Sequence, residues 1–322
     1  MTQRPEHFVA PAGLGNPHLQ TTFASILRKA RLRRSLQPFL HGGDTQIIDA
    51  NGVKFKVHLH THRESAQPTV VIIPGWLGNS ESGYALGSAA TLFERGFNVA
   101  RINLRDHGNT ADLNQELFNS ARLDEVVDLI DLLKQRQSHP GFGILGFSLG
   151  GNFALRIAKQ RNDIRTLAIC PAIQPQPTMH RIDGHLIYQR YFLRKWRKTW
   201  AQKQAAFPGA YDFGNALQLS TVSALTDYFV RHHSDFDSTE SYFRAYDLSG
   251  DFLNGVAAQI LTTADDPIIE VQQFQGLPNS IQVQIAPQGG HTALLKNWGM
   301  QSWVDEYAAD YFAEHLTVTG GD

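Results

Sequence analysis

A serine, an aspartate and a histidine occur in this sequence in an order that suits nucleophilic catalysis. Ser148 lies in the stretch 146–150, Gly-Phe-Ser-Leu-Gly, directly after an apolar run of strand length. Asp266 and His291 each follow a later apolar run. A serine hydroxyl needs a base to accept its proton, and the base needs an acid partner that fixes its tautomer. We therefore predict that Ser148 and His291 form a catalytic triad with an acid, either Asp266 or its neighbour Asp265.

The glycines around Ser148 fit the pattern G-x-S-x-G of a nucleophile elbow, in which a strand turns sharply into a helix. Such a turn leaves no room for side chains beside the serine, and it exposes the hydroxyl at a helix N-terminus. Because the pattern is short and also occurs by chance in glycine-rich turns, the prediction depends on the partners of the serine.

An acyl-transfer site also needs hydrogen-bond donors for the oxyanion of the tetrahedral intermediate. The backbone amide of Leu149, directly after the serine, is the first predicted donor. The second is the amide of Trp76, in the glycine-rich loop 74–80 that follows the first buried strand. Losing one such donor typically lowers turnover by about 100- to 1,000-fold.

The composition is that of an ordinary globular protein. The 322 residues are 42% hydrophobic and 18% charged, and a formal net charge of -1 argues against nucleic-acid binding. The single Cys170 excludes an internal disulfide and fits a reducing cytoplasm. Residues 1–7 lack the apolar core of a signal peptide, and no apolar run is long enough to span a bilayer. We predict a cytoplasmic protein.

The hydrophobic pattern predicts an α/β fold with a mostly parallel central sheet. Residues 46–61 indicate an antiparallel N-terminal hairpin around Asn51-Gly52, and from Thr69 onward buried strands alternate with helical stretches. The alternation breaks between residues 171 and 250, which contain a long helical stretch at 186–206. We predict a single domain over residues 1–322, with residues 171–250 inserted as a helical lid.

Two helical stretches are rich in basic residues. One is a helix near the N-terminus, predicted to be capped by Thr21 or Thr22, with an apolar face and a basic face; the other is the long helix of the lid. A solvated helix face is the simpler interpretation, and a contact with a membrane surface or anionic lipid head groups is the alternative. The basic residues are Arg28, Lys29, Arg31, Arg33 and Arg34 in the first, and Arg190, Arg194, Lys195, Arg197, Lys198 and Lys203 in the second.

Other polar clusters have the composition of a functional site without its spacing. His58, His60 and His62 alternate along one strand with no carboxylate or thiol nearby, and the histidines and aspartates within 232–237 are irregularly spaced. We therefore predict solvated histidines and no metal site. Asp106-His107 is better explained as part of a loop-stabilising network than as a catalytic pair, because neighbours in sequence rarely point at one another.

Several stretches together resemble the YheT-like branch of the α/β-hydrolase superfamily, which is related to abhydrolase and medium-chain ester synthase/esterase proteins. They are Asn-Pro-His-Leu-Gln-Thr at 16–21, Gly-Phe-Ser-Leu-Gly-Gly-Asn at 146–152, Tyr-Gln-Arg-Tyr at 188–191, Ala-Asp-Asp-Pro at 264–267 and Gly-Gly-His at 289–291. The resemblance implies hydrolysis of carboxylic esters without a metal or organic cofactor. It also implies that Asp266 is the triad acid and that its neighbour Asp265 is an accessory or turn residue.

The sequence departs from the family pattern at two places. Pro74-Gly75 stands where the family commonly has His-Gly before the oxyanion loop. Residues 104–108, Leu-Arg-Asp-His-Gly, stand where many members have Phe-Arg-Gly. Both departures concern the loops that border the predicted site.

The predicted function is a serine esterase that cleaves short- to medium-chain or lipid-like acyl esters through an acyl-enzyme on Ser148. Acyl transfer to an alcohol and a non-catalytic binding protein on the same fold are the alternatives. Aromatic residues of the lid suggest an acyl-chain pocket, although side chains at helical spacing more often simply pack. These residues are Tyr188, Tyr191, Phe192 and Trp196.

Overall fold

The computed structural model describes residues 8–62 and 66–316. Residues 1–7, from which the sequence predicts that no signal peptide is present, lie outside the described residues. No helix in the described part of the chain is long and apolar enough to cross a membrane.

The described residues build one eight-stranded sheet with the order β1-β2-β4-β3-β5-β6-β7-β8. Strand β2 pairs antiparallel with β1 and β4, and all other neighbours pair parallel, so the predicted hairpin and mostly parallel sheet are confirmed. The strands are β1 Asp44–Ala50, β2 Val53–His60, β3 Thr69–Ile73, β4 Asn98–Ile102, β5 Phe142–Phe147, β6 Arg165–Ile169, β7 Ala258–Thr263 and β8 Ile281–Ala286.

Helices lie on both faces of the sheet and between β6 and β7. They are α1 Pro17–Phe23, α2 Lys29–Ser35, α3 Gln37–Gly42, α4 Gly83–Glu94, α5 Asp124–Gln135, α6 Leu149–Gln160, α7 Pro175–Asp183, α8 Leu186–Ala206, α9 Val222–His233, α10 Thr239–Arg244 and α11 Trp303–Leu316. Shorter turns are the π-helical turn Ala24–Arg28 and the 3-10 turns Gly214–Gln218 and Val271–Phe274.

The central strands are buried on both faces, as the continuous apolar runs predict. In β3, Val70 and Ile72 pack with α4 and α11, whereas Val71 and Ile73 pack with α5 and α6 on the opposite face. The chain leaves β3 toward β4 on one side and returns to β5 on the other. The loops after β3 and β5 therefore diverge at a topological switch point, which is where open α/β sheets form their binding crevice.

The segment between β6 and β7 interrupts the alternation of strand and helix, as predicted for residues 171–250. It contains helices α7 to α10, and the bounds of α8 coincide with the predicted stretch 186–206. Asn152 in α6 connects this insertion to the elbow helix, because its side-chain amide donates to the carbonyl oxygens of Ala172 at 2.9 Å and Tyr246 at 2.8 Å.

The N-terminal helix begins earlier than the sequence predicts. Its cap is Asn16, whose side-chain oxygen accepts hydrogen bonds from the amides of His18 and Leu19. Helix α1 then runs through the π-helical turn directly into α2. The predicted cap at Thr21 or Thr22 is therefore wrong.

The predicted apolar face of this helix is also wrong, and the predicted solvated basic face is wrong for Arg28. Ile26 and Leu27 are exposed, whereas Arg28, which we assigned to a solvated basic face, is buried. The guanidinium of Arg28 pairs with the carboxylate of Asp305 and donates to the carbonyl oxygen of Met300 at 3.1 Å. A buried guanidinium requires such partners. They lie far away in sequence, so no local pattern could reveal them.

The prediction of solvated histidines is wrong for His60. Its ring is buried and stacks on that of Phe39 from α3, with ring centroids 3.8 Å apart. The Nε2 atom of His60 lies 2.8 Å from the carbonyl oxygen of Phe39. Burial lowers the pKa of His60 to about 4, so this ring is a neutral packing element.

Candidate active site

Ser148 occupies a strained turn between β5 and α6. Its backbone angles are φ 55° and ψ -117°, which are unfavourable for a residue with a side chain. The amide of Ser148 donates to the carbonyl oxygen of Ile169 at 2.9 Å, so the neighbouring strand β6 helps to hold the turn. The sharp strand-to-helix geometry of a nucleophile elbow is thus present.

The two glycines of the pattern are required by close backbone contacts. A Cβ atom at Gly146 would lie 2.2 Å from the carbonyl oxygen of Gly150. A Cβ atom at Gly150 would lie 2.2 Å from the carbonyl oxygen of Ile73, at the end of β3. Any larger residue would therefore push the elbow away from the loop that follows β3.

His291 and Asp266 form a hydrogen-bonded pair. Nδ1 of His291 lies 2.8 Å from Oδ2 of Asp266, and the Asp266 side chain is buried. The other carboxylate oxygen, Oδ1, accepts the amides of Ile268 at 2.8 Å and Ile269 at 2.9 Å. The carboxylate is thereby fixed in orientation, and it can hold the imidazole in one tautomer.

Asp265 has different partners from Asp266. Its carboxylate accepts the amides of Gly289 at 3.2 Å and Gly290 at 2.9 Å. Asp265 thus connects the loop after β7 to the loop after β8 that carries His291. Of the two carboxylates, the structure places Asp266 against the imidazole and Asp265 against the backbone of the histidine loop.

The histidine loop is also held by α1, a contact that the sequence did not reveal. The amide of His291 donates to Oγ1 of Thr21 at 2.9 Å. The side chain of Gln20 accepts the amide of Leu295 at 2.8 Å and donates to the carbonyl oxygen of Leu14 at 3.0 Å. The stretch His-Leu-Gln-Thr therefore connects the N-terminal segment to the histidine loop through side-chain hydrogen bonds.

The loop after β3 offers one free backbone amide beside the elbow. Tyr84 Oη accepts the amide of Gly75 at 3.1 Å, and His107 Nε2 accepts the amide of Leu77 at 2.9 Å. In contrast, the amide of Trp76 has no hydrogen-bond partner among the described residues. A Cβ atom at Gly75 would lie 3.1 Å from Cβ of Ser148, so this loop runs directly against the elbow.

A family model for the alpha/beta hydrolase family matches residues 70–310, a span that contains the elbow, the Asp266 loop and the His291 loop. This chain belongs to the alpha/beta hydrolase family. A protein of Synechocystis named "Putative esterase slr0264" is 26% identical to this hydrolase over an alignment of 326 positions that covers 90% of this chain and 88% of the relative.

Solved hydrolase structures share the fold. Est1E from Butyrivibrio proteoclasticus aligns with a TM-score of 0.55 at 16% identity, covering 84% of this chain and 98% of that one. A serine hydrolase from the polyaromatic hydrocarbon-degrading bacterium Cycloclasticus aligns with a TM-score of 0.57 at 14% identity, covering 86% of this chain and 100% of that one. At these identities the likeness concerns the fold alone.

Ser148 and His291 both border a cavity of about 560 Å³ between the sheet edge and the inserted helices. No hydrogen bond joins their side chains in the described part of this hydrolase. Helices α7, α8 and α9 supply much of the opposite wall, which is largely apolar. The aromatic residues of the inserted helices that line the cavity include Phe192, Trp196, Trp200, Phe229 and Tyr242, and Trp76 lines it from the loop after β3.

Positive charge predominates among the described residues that line this cavity. The basic lining residues are Lys29, Lys195 and Arg33, of which Arg33 is paired with the Glu81 carboxylate at 3.1 Å, whereas the acidic lining residue is Asp106. The Asp106 carboxylate is buried and lies 2.7 Å from Nζ of Lys203, so its charge is already paired. Burial raises the pKa of Asp106 to about 6 despite that neighbour.

The basic helix α8 is not simply a solvated face. Nζ of Lys203 is fully buried and also donates to the carbonyl oxygen of Asn114 at 2.6 Å. Lys195 donates to the carbonyl oxygen of Leu77 at 3.0 Å, and Arg197 donates to that of Leu219 at 2.6 Å. These three side chains turn inward, so the prediction of a solvated face is wrong for them. The remaining basic residues of α8 are exposed: Arg190, Arg194 and Lys198.

Cys170 lies beneath the histidine–aspartate pair. Its sulfur and ligand atoms of Asp266 and His291 all lie within 4.8 Å of one another, a spacing that suits a metal ion. Burial raises the pKa of the Cys170 thiol well above its ordinary value, and the Asp266 carboxylate raises it further. A protonated thiol is a poor metal ligand, so the chemistry of this trio suits hydrogen bonding better than metal binding.

Proposed function

We propose that this hydrolase is a serine carboxylesterase that forms an acyl-enzyme on Ser148. The observation that carries the proposal is the strained serine of the elbow, which shares one cavity wall with a histidine held by a buried aspartate. These three residues supply a nucleophile, a base and an orienting acid. The relative named as an esterase supports the reaction class.

In the proposed reaction, Oγ of Ser148 attacks the acyl carbonyl carbon while Nε2 of His291 accepts the hydroxyl proton. The amides of Trp76 and Leu149 stabilise the oxyanion. Collapse of the intermediate expels the alcohol, which takes the proton from His291, and water then repeats the sequence on the acyl-enzyme. Asp266 stabilises the imidazolium throughout. The Ser148–His291 hydrogen bond would form with substrate, as such bonds often tighten only in the complex.

We also place the chain in the YheT-like branch of the family. The stretch that carries this resemblance, 16–21, contains Gln20 and Thr21, which brace the loop of His291. These hydrogen bonds explain how the stretch can help to position His291. A single domain over residues 1–322 and a cytoplasmic location are part of the same proposal. We propose separately that the exposed residues Arg190, Arg194 and Lys198 contact anionic lipid head groups.

The proposed substrates carry an apolar acyl chain of short to medium length. The aromatic wall contributed by the inserted helices offers apolar area to such a chain, and each buried methylene contributes about 0.8 kcal/mol. The cavity volume of about 560 Å³ lies within the ordinary range of small-molecule sites. We therefore assign the inserted helices the role of a lid that selects the acyl group.

A direct test combines ester turnover with covalent inhibition. The purified protein should hydrolyse p-nitrophenyl esters of increasing chain length and lose this activity in parallel with labelling by a fluorophosphonate probe. Absence of both turnover and labelling would favour a non-catalytic binding protein. Formation of transesterified product on addition of ethanol would instead favour acyl transfer.

The positive charge of the cavity predicts discrimination against cationic esters. Butyrylcholine and 3,3-dimethylbutyl butyrate have nearly the same shape and differ in charge. We expect kcat/KM for butyrylcholine to be about tenfold lower, because repulsion by Lys29 and Lys195 corresponds to roughly 1.4 kcal/mol at a partly screened site. Steady-state assays of the two esters at low salt measure this ratio.

Two variants locate the source of that discrimination. Lys29→Met removes a charge at the cavity wall and should narrow the ratio between the two esters, and added salt should do the same. Arg34→Met removes an exposed charge from the same helix and should leave the ratio unchanged. Equal kcat/KM for both esters in the wild-type protein would contradict this assignment.

A further inference from the structure

Leu77, which follows the proposed oxyanion donor Trp76, is held in a strained backbone conformation. Its φ is 54°, in the left-handed region that non-glycine residues seldom occupy. Such a conformation persists only where the surroundings enforce it. Both polar groups of the Leu77 backbone have side-chain partners, one on each side of the peptide chain.

His107 fixes the amide side of Leu77. The Nδ1 atom of His107 lies 2.7 Å from the carbonyl oxygen of Arg105, so this nitrogen must carry the proton. Nε2 is then an acceptor, and it receives the Leu77 amide at 2.9 Å. Burial lowers the pKa of His107 to about 4, which keeps the ring neutral at physiological pH.

Lys195 of the inserted helix α8 fixes the carbonyl side. Its Nζ donates to the carbonyl oxygen of Leu77 at 3.0 Å and lies 4.6 Å from the centroid of the Tyr191 ring. Neighbouring positions of the same helix hold the Trp76 side chain. The Trp76 ring stacks on Phe192 with centroids 5.1 Å apart and meets Trp196 edge-on at 5.0 Å.

Helix α8 is in turn locked to the loop that carries His107. Two turns beyond Lys195, the buried Nζ of Lys203 lies 2.7 Å from Oδ1 of Asp106. The other carboxylate oxygen of Asp106 accepts the amide of Phe118 at 2.9 Å. Asp106 therefore contacts helix α8, which holds the carbonyl oxygen of Leu77. Its neighbour His107 accepts the amide of Leu77.

We propose that Lys195 and His107 are positioning residues that aim the Trp76 amide at the oxyanion, so that helix α8 is a working part of the catalytic site as well as a cover. The inference rests on the proposed esterase function. The peptide unit between the two residues contains the carbonyl of Trp76 and the amide of Leu77. A rotation of this unit would change the backbone angles of Trp76 and so shift the Trp76 amide. The Trp76 amide would thus point at the oxyanion only while α8 holds the Leu77 carbonyl oxygen.

The decisive variant is Lys195→Met, which keeps much of the aliphatic stem and removes the donor. We expect kcat for p-nitrophenyl butyrate to fall about 10- to 100-fold with KM changed less than about threefold, because a misaimed donor loses much of what a deleted one loses. The rate of fluorophosphonate reaction and the affinity for a trifluoromethyl ketone, which forms a tetrahedral adduct, should fall in parallel. Lys195→Arg retains a donor and should recover part of kcat.

Lys159→Met is the matched control, because Lys159 is an exposed lysine that also donates to a backbone carbonyl oxygen, that of Asn254 at 2.7 Å, and it should keep wild-type kcat. Melting temperature and tryptophan fluorescence of each variant report whether the fold is retained. If the wild-type protein hydrolyses the ester and Lys195→Met has unchanged kcat, or loses only thermal stability, the positioning role is wrong. If the wild-type protein itself is inactive, the esterase proposal fails instead.

Discussion

Replacement of Ser148 by alanine is expected to lower kcat for ester hydrolysis by on the order of 10⁶-fold, because the proposed mechanism has no other nucleophile. The strained elbow backbone needs no side-chain oxygen, since its turn is held by the hydrogen bond from the Ser148 amide to the carbonyl oxygen of Ile169 and by close glycine contacts. The melting temperature should therefore stay near that of the wild-type protein. Single-turnover assays with p-nitrophenyl butyrate give the rate loss directly.

Ser35→Ala, at the end of α2 and exposed, provides the control for this substitution. It should retain full activity. If Ser148→Ala kept more than about one per cent of wild-type turnover, a value far above the residual rate of serine hydrolases without their nucleophile, another group would have to be the nucleophile.

The second large effect separates the two adjacent carboxylates. In Asp266→Asn the remaining oxygen would keep the amides of Ile268 and Ile269, so the new NH₂ group would face Nδ1 of His291 and impose the wrong tautomer. We expect kcat to fall by about 10⁴-fold. In Asp265→Asn the remaining oxygen can keep the amide of Gly290, and only the longer hydrogen bond, from the amide of Gly289 at 3.2 Å, is lost, so the loss should stay below about tenfold.

Comparison of the two asparagine variants in the same assay tests the assignment of the acid. The pair is matched in chemistry and sequence position, and the difference lies in whether the carboxylate meets the imidazole or the backbone. A larger loss for Asp265→Asn than for Asp266→Asn would reverse the assignment. Equal losses would indicate that the loops, and not the orientation of His291, limit activity.

Much of the fold could be predicted from the sequence, because the signals are local. Strand β3 begins at Thr69, where the buried apolar runs begin, and helix α8 has the bounds of its predicted helical stretch. The hairpin follows from Asn51-Gly52, which both adopt positive φ values. The elbow was evident because its glycines and its strand-helix context are adjacent along the chain.

Other features depended on contacts between distant parts of the chain. Thr21 resembles a helix cap in the sequence, but its hydroxyl group meets the amide of His291, 270 residues away. Arg28 resembles a solvated cation, but it pairs with Asp305, 277 residues away. Nothing in the local pattern distinguishes these side chains from their exposed neighbours.

The site shows the same division between local and distant signals. The residue types and chain order of Ser148, Asp266 and His291 were sufficient to propose a triad. The partners of the Trp76 loop were not foreseeable, because His107 and Lys195 come from the β4 loop and from the insertion. The sequence of a basic helix shows how many charges it carries. Which lysines turn inward depends on the carbonyl oxygens that the folded chain brings close to them.

The most direct test of the central claim is to trap the acyl-enzyme. The protein is mixed with excess p-nitrophenyl butyrate, quenched in acid within the first turnovers, digested and analysed by mass spectrometry. The account predicts one butyryl group on the peptide that contains Ser148, and its loss in Ser148→Ala. Turnover of the ester with the butyryl group on a different residue, or with no adduct at any stage of a rapid-quench series, would contradict the account.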